Sequence, residues 1–207
     1  MIRNYQKELE KKLVQLEKTG SVPILLLHSC CAPCSSYVLE YLSEYFSITV
    51  FYYNPNIFPE EEFIKRIQEQ DMLIQKLPVK HEIKLIAGNY DSERFYEMAK
   101  GLEQVPEGGE RCFKCYELRL RKTAELAKAG GYDYFTTTLS ISPLKNAARI
   151  NESGEELAEI YHVTHLPSDF KKKNGYKRSI ELSHEYDLYR QNYCGCVYSR
   201  TEASINN

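Results

Sequence analysis

The sequence predicts an α/β fold with a mostly parallel sheet and helices on both faces. Short apolar runs suited to buried strands alternate with longer segments whose apolar residues recur at helical spacing. The chain has 207 residues and a hydrophobic content of 43%, which is enough to bury one core. We therefore expect a single domain, with an N-terminal helix over residues 1–20, an α/β core over 21–193 and a C-terminal segment over 194–207.

Each element follows from a local pattern. The run "PILLLHS" is short and apolar, and "KHEIKLIA" alternates apolar and polar residues. One helix is expected to begin at Pro59, ahead of an acidic first turn, and another to end at Gly130. The predicted strands cover residues 23–29, 47–54, 80–87, 132–140 and 162–167. The predicted helices between and after them cover residues 32–46, 59–77, 92–102, 112–131, 155–162 and 176–191.

This topology predicts where a ligand binds. In open α/β sheets the functional crevice lies outside the carboxyl ends of the strands, where the strand order reverses. Cys30, Cys31 and Cys34 come directly after the first strand, at the start of its helix. The partial positive charge of a helix N-terminus lowers thiol pKa values and favours thiolates. Pro33 suits an early helical position because it needs no backbone donor there.

All seven cysteines occur in tight groups, and these groups are spread along the chain. The N-terminal stretch lacks a secretory signal pattern, and no run approaches the ~18 apolar residues of a membrane span. We therefore expect a soluble, cytoplasmic protein, in which closely spaced cysteines are more often metal ligands or redox pairs than structural disulfides. Such clustering argues against buried free cysteines that only fill the core. The seven cysteines form three groups: Cys30, Cys31 and Cys34; Cys112 and Cys115; Cys194 and Cys196.

The first two groups favour an iron–sulfur site over zinc. Zinc ribbons use two separated C-x-x-C pairs, here Cys31 with Cys34 and Cys112 with Cys115, and that choice leaves Cys30 unexplained. It also places a structural metal in the functional crevice. Iron–sulfur ligand spacings are irregular, and redox chemistry would also account for the third group.

The third group, Cys194-Gly195-Cys196, allows three interpretations. A C-x-C pair can close a strained disulfide of the labile kind used in redox work, and we favour this redox-active dithiol. A further metal-binding pair and two unpaired thiols near the chain end are the alternatives.

Two further residues could serve the crevice. Arg119 lies one helical turn after Cys115, so it shares the face of that cysteine and could stabilise thiolates or hold an anionic substrate. His28 directly precedes the first cysteine group. It is a candidate proton donor, and as a residue of a buried strand it is equally a candidate core histidine.

The net charge of −2 argues against a protein that coats nucleic acid uniformly, but it permits a local basic face. The segment "SDFKKKNGYKRS" interleaves basic residues with an aromatic one, as phosphate-contacting surfaces do, although such runs are usually solvated loops. Further basic residues flank Cys112, which strengthens the case for a nucleic-acid face. The candidate RNA-contacting residues of the segment are Lys171, Lys172, Lys173, Tyr176, Lys177 and Arg178, with Asp169 as the only opposing charge.

Six motifs in order together resemble the QueH-type epoxyqueuosine reductases. They are "LLLHSCCAPCSS", "YNPNIFPEEE", "GGERCFKCYELRL", "TTTLSISPLKN", "DFKKKNGYKRSIELS" and "YRQNYCGCVYS". The resemblance runs from about Ile24 to Ser199 and includes all seven cysteines. It implies a fold similar to the adenine-nucleotide α-hydrolase (HUP-like) group.

The resemblance also implies an activity and its cofactors. Such enzymes perform the last step of queuosine synthesis, reducing the epoxide of epoxyqueuosine in the tRNA anticodon with a 4Fe-4S cluster and without cobalamin. Carried over by motif, Cys30, Cys31, Cys112 and Cys115 would hold the cluster, and Cys194 and Cys196 would be the redox-active disulfide pair. Cys34, with Asp169 as a candidate carboxylate ligand, could help bind a second, mononuclear iron. The expected partners are tRNA bearing epoxyqueuosine and an electron donor that the sequence does not identify.

Two other classes of protein remain as alternatives. A zinc-stabilised RNA-binding module would use the same cysteines structurally and catalyse nothing. A thiolation enzyme of the nucleotide-hydrolase type would bind ATP at the first loop, but "HSCCAPCSS" lacks the glycines that let a phosphate approach the backbone.

Overall fold

A five-stranded sheet forms the centre of the molecule in a computed structural model that describes residues 3–191 and 193–200. The remainder of the predicted C-terminal segment, residues 201–207, lies outside the described residues. The strands are β1 (Ile24–His28), β2 (Ser47–Tyr52), β3 (Ile83–Ala87), β4 (Tyr134–Thr137) and β5 (Thr164–His165). The helices are α1 (Tyr5–Thr19), α2 (Ala32–Leu42), α3 (Glu60–Lys76), α4 (Ser92–Ala99), α5 (Glu110–Ala129), α6 (Ala147–Tyr161) and α7 (Gly175–Glu185).

The strand order is β3-β2-β1-β4-β5, and every neighbouring pair is parallel. From β1 the chain builds outward through β2 and β3, and it then returns to place β4 on the other side of β1. The order therefore reverses between β1 and β4, and a crevice opens beyond their carboxyl ends. This arrangement confirms the predicted α/β class and fits a HUP-like fold.

Two hydrophobic cores lie on opposite faces of the sheet. On one face, Leu9 and Leu13 of α1 pack with Leu39 of α2 against β1. On the other face, Leu120 of α5 and Leu157 of α6 pack against the central strands. Because β1 is covered on both sides, its continuous apolar run is the pattern expected of a central parallel strand. None of the helices within residues 3–191 and 193–200 is long and apolar enough to cross a membrane.

The third strand and the helix after it lie within the predicted ranges but are shorter, because β3 begins at Ile83 and α4 ends at Ala99. The helix α6 differs more. It begins at Ala147, two turns before the predicted start at residue 155. Asn146 caps it by accepting a hydrogen bond from the Arg149 amide at 3.2 Å. Gly154 obscures the helical pattern, and the reason for glycine is packing, because a Cβ there would lie 2.4 Å from Nε2 of His165.

The last helix and the fourth strand are shorter than predicted. The helix α7 ends at Glu185, and Asp187 then adopts a left-handed backbone with φ of 53°. The amide of Tyr189 donates to the Glu69 carboxylate of α3, so the chain turns back across that helix. The strand β4 ends at Thr137, and a short 3₁₀ helix, Thr138–Ile141, follows it. The last residues of the predicted strand, 138–140, therefore belong to this 3₁₀ helix.

Candidate functional site

Three thiols converge at the junction of β1 and α2. The Sγ atoms of Cys30, Cys31 and Cys34 all lie within 4.8 Å of one another, and those of Cys30 and Cys31 are 3.9 Å apart. We call these three residues the β1 thiol group. Cys31 is the N-cap of α2 with an extended backbone, and Pro33 occupies the first turn as predicted. The close approach therefore comes from the local backbone, and the group could bind a metal ion or cluster.

The three thiols of this group share their protons unequally. The Cys31 and Cys34 thiols donate toward Cys30, which holds the pKa of Cys30 well below its usual value. The same donation raises the pKa of Cys31 to about 12 and that of Cys34 as well. One thiolate stabilised by two neutral thiols is the arrangement that follows.

The opposite wall of the crevice is built by the end of β4. The Cys30 amide donates to Oγ1 of Thr138 at 3.4 Å, and its Sγ lies 3.6 Å from the same oxygen. Cys30 follows β1 and Thr138 follows β4, and the two residues are 108 positions apart in sequence. Their contact lies at the predicted switch point of the sheet. Thr138 belongs to the motif "TTTLSISPLKN", so this motif lies at the crevice.

The other four cysteines line a cavity beside this group. Cys112 and Cys115 project from the first turns of α5. Cys194 and Cys196 come from the part of the C-terminal segment that the structure describes, residues 194–200. We call these four residues the cavity thiol group. The remaining lining residues are Asn56, Phe95, Glu107, Arg111, Tyr116, Arg119, Lys145 and Ser199.

Burial dominates the chemistry of the cavity thiol group. It raises the pKa of Cys115 to about 12 and raises the pKa values of Cys112 and Cys196. All seven cysteines lie among the described residues and all are free thiols, and the redox-active pairing of Cys194 with Cys196 stays a prediction.

The C-terminal segment is held against α3 and the loop before it. The Phe58 amide donates to the Gly195 carbonyl at 2.9 Å, and Nη1 of Arg66 lies 3.5 Å from the Cys194 carbonyl oxygen. Gly195 has φ of 108°, and a Cβ at this residue would lie 3.0 Å from Nη1 of Arg66. Glycine is therefore required both for the backbone turn and for the close guanidinium.

The two thiol groups are bordered by four cations, Arg66, Arg111, Arg119 and Lys145. Arg119, only 1% exposed, donates from Nε to the Cys115 carbonyl at 3.1 Å and from Nη1 to the Asn54 side chain at 3.4 Å. Arg66 is 2% exposed and pairs with Glu62 at 2.7 Å. Lys145 lines the cavity, and its charge adds to the thiol hydrogen bonds that lower the pKa of Cys30. The predicted face-sharing of Arg119 with Cys115 thus places a buried cation at the site.

His28 is fully buried beneath the β1 thiol group. Its Nδ1 lies 2.8 Å from Oγ1 of Thr137, and its Nε2 lies 3.0 Å from the Tyr53 carbonyl. Burial lowers its pKa to about 4, with the nearby Arg119 acting in the same direction. With both ring nitrogens engaged and the ring neutral, the contacts favour the core-histidine interpretation over the predicted role as proton donor.

Most of the predicted RNA-contacting cluster is paired with acidic residues. Asp169 accepts from Lys171 at 2.7 Å and lies 3.6 Å from Lys172, so its carboxylate is engaged with lysines. Lys173 lies 2.6 Å from Glu10, and Arg178 lies 2.6 Å from Glu40. Lys177 is exposed, and Arg190 covers the Tyr176 ring at 5.5 Å. Glu10 and Glu40 are thus acidic partners that the local sequence pattern did not reveal.

Sequence reasoning missed Lys145 and Arg66. Lys145 belongs to the "TTTLSISPLKN" motif, and that motif was the available signal. Arg66 stands one helical turn after Glu62, a spacing typical of a solvated helix face, so nothing local marks it as buried.

Comparison with known proteins gives consistent similarity over the whole chain. A family model described as epoxyqueuosine reductase QueH matches residues 25–202. The epoxyqueuosine reductase QueH of Staphylococcus epidermidis is 45% identical over 207 residues, which cover 98% of this chain and 87% of that protein. That of Streptococcus pyogenes serotype M1 is 42% identical, covering 98% and 80%. That of Thermotoga maritima is 35% identical, covering 86% and 91%.

Proposed function

This chain belongs to the QueH family of epoxyqueuosine reductases, which are oxidoreductases, and we propose that it reduces epoxyqueuosine in the tRNA anticodon to queuosine. The observation that carries the proposal is the β1 thiol group at the switch point of the sheet, beside a cavity lined by four more thiols. The reaction consumes two electrons and two protons, releases the epoxide oxygen as water and leaves an alkene. A site for it must therefore supply reducing equivalents and hold an RNA-borne nucleoside.

The donor set fits an iron–sulfur cluster. Thiolates are the ligands of such clusters, and Cys30 and Cys31 present two adjacent sulfurs at the crevice. We propose that Cys112 and Cys115, from the facing cavity wall, complete the ligand set of a 4Fe-4S cluster. When bound, that cluster supplies single electrons.

A second iron is proposed beside the first site. Cys34 belongs to the β1 thiol group but is not needed for four cysteine ligands, so it is available for a mononuclear iron. Ligation by Asp169 would require its two lysine contacts to open, and that part of the expectation stays a prediction.

The Cys194 and Cys196 thiols are proposed as the source of the electron pair. Oxidation of two thiols to one disulfide releases two electrons and two protons, which balances one reduced epoxide. Support comes from their place in the same cavity as Cys112. The two cysteines are also separated in sequence by Gly195 alone, which has a positive φ. A reductant of thiol or ferredoxin type must then restore the pair after each turnover.

The proposed substrate is tRNA, and Arg119 is the proposed cavity contact for it. This guanidinium is buried at the cavity wall, and one of its terminal nitrogens, Nη2, has no hydrogen-bond partner among the described residues. A polar group of the substrate would satisfy that donor. The predicted RNA contacts of residues 171–173 and 176–178 stay proposals. The ion pairs of Lys173 and Arg178 do not exclude them, because ion pairs at the surface are weak enough to exchange for contacts with phosphates.

The test is single- and multiple-turnover assay of anaerobically reconstituted protein on tRNA that carries epoxyqueuosine, with nucleosides analysed by mass spectrometry. We expect conversion by the wild type and loss of repeated turnover in Cys194→Ser, with iron content retained. A colourless protein that holds one zinc and no iron would contradict the proposal in favour of an RNA-binding module. Full multiple-turnover activity of Cys194→Ser would remove the thiol pair from the cycle.

A further inference from the structure

A row of neighbouring aromatic rings and guanidinium groups leads from the cavity to the surface of the protein. The Arg119 guanidinium carbon lies 5.9 Å from the centre of the Tyr116 ring, and the rings of Tyr116 and Phe113 are 6.2 Å apart. Arg149 of α6 covers Phe113, with its guanidinium carbon 5.1 Å from the ring centre. Cations and aromatic rings at these distances attract one another.

Exposure rises steadily along this row. Arg119 and Tyr116 are 1% and 3% exposed and both line the cavity. Phe113 is half-buried, and 53% of the Arg149 side chain is in solvent. The inner end of the row therefore belongs to the reactive cavity, while the outer end, Phe113 with Arg149, forms a planar and cationic surface beside it.

Residues close in sequence to the outer end share this character. Leu144 is 71% exposed, the largest exposure among the large hydrophobic residues described, and its neighbour Lys145 lines the cavity. Lys114 is exposed next to Phe113. Glu152 lies 3.4 Å from Arg149, but an exposed pair of this kind contributes little and is easily exchanged.

We propose that Arg149, backed by Phe113, is a stacking platform for an unpaired base of the anticodon loop next to the modified nucleoside. This inference rests on the proposed function, because it assigns the contact that holds the substrate loop over the cavity. Single-stranded RNA is recognised through bases stacked on aromatic rings and arginine planes, with cations nearby for the phosphates. The positive charges of Lys114, Lys145 and Arg149 complement such a strand.

The experiment measures binding of a fluorescent anticodon stem-loop to the reconstituted enzyme by anisotropy. We expect Arg149→Ala and Phe113→Leu each to weaken binding about tenfold, with iron content unchanged. Arg149→Lys keeps the charge but loses the plane, so it should lose most of the same affinity, whereas a simple phosphate contact would tolerate lysine. The matched control is Lys12→Ala, which removes a cation 5.2 Å above Tyr134 at the start of β4, at the end of the strand away from the crevice.

A second stem-loop with abasic sites on both sides of the modified nucleoside identifies the partner. It keeps the phosphates and removes the bases, so the wild type should bind it about as weakly as Arg149→Ala binds the intact loop. Arg149→Ala should lose little further affinity for the abasic loop. Wild-type affinity of Arg149→Ala for the intact loop, or an equal loss on both loops, would overturn the platform.

Activity on the same stem-loop separates this inference from the function on which it rests. Conversion of epoxyqueuosine with unchanged binding in the Arg149 and Phe113 variants would refute the platform alone. Absence of conversion by the loaded wild type would refute the proposed function.

Discussion

The β1 thiol group and the cavity thiol group are assembled in different ways. Cys30, Cys31 and Cys34 lie within five consecutive residues of one strand–helix junction, so their approach is set by local backbone. The cavity thiol group joins α5 to the C-terminal segment, and its geometry depends on contacts between distant parts of the chain. The first group is thus preorganised by sequence, and the second only by the completed fold.

The two groups also differ in protonation. Within the β1 thiol group, donation from its neighbours lowers the pKa of Cys30. In the cavity thiol group, burial raises the pKa of Cys115 to about 12. The first group therefore offers a thiolate as it stands, whereas Cys112, Cys115 and Cys196 of the second group are neutral thiols until a metal or an oxidant takes their protons.

The largest expected effect comes from Cys30→Ser. This change removes the stabilised thiolate, and we expect loss of cluster iron and a drop in activity of at least about 100-fold, in line with the loss of a metal ligand. The measurement is iron and sulfide content, with absorbance near ~400 nm from iron–thiolate charge transfer.

Cys34→Ser is the matched control within the same group. It should keep the cluster absorbance and lose only the iron in excess of the cluster. Equal loss of absorbance in both variants would make Cys34 a cluster ligand and would contradict the division of roles proposed for the group.

The sequence predicted the local parts of this site and not the distant ones. The apolar run predicts β1, and Pro33 indicates that a helix starts directly after it, at the crevice. No local pattern indicates that Tyr189 reaches Glu69, or that Arg66 meets the Cys194 carbonyl, because each contact joins residues separated by 120 or more positions. The same limit hid the acidic partners of Lys173 and Arg178, since Glu10 and Glu40 lie in α1 and α2.

Alkylation of the metal-free protein tests the difference in protonation directly. Cys30, Cys34 and Cys112 are all half-buried, but only Cys30 has a lowered pKa. Because the thiolate is the nucleophile, iodoacetamide at pH 7 should modify Cys30 about tenfold faster than the other two, as followed by peptide mass spectrometry. The rate at Cys30 should level off at lower pH than the rates at Cys34 and Cys112. Equal rates at all three would show that exposure, not protonation, distinguishes the groups.

The smallest expected effect concerns the contacts that hold the C-terminal segment against Phe58 and Arg66. Gly195→Ala forces a side chain into a backbone with φ of 108° and against Arg66, at a cost on the order of 1–2 kcal/mol. Since the Phe58 amide donates to the Gly195 carbonyl, its hydrogen exchange should accelerate about fivefold or more.

Gly20→Ala is the matched control, because Gly20 also has positive φ, at 64°, but has open space where its Cβ would lie. It should leave Phe58 exchange unchanged. Neither variant should alter the alkylation rate of Cys30, because the thiols that mainly lower its pKa, Cys31 and Cys34, belong to the same strand–helix junction. Faster exchange at Phe58 with an unchanged Cys30 would establish that the cavity thiol group depends on long-range docking and the β1 thiol group does not. A parallel loss at Cys30 would show that the C-terminal segment supports both groups, and that the β1 thiols are not preorganised by their junction alone.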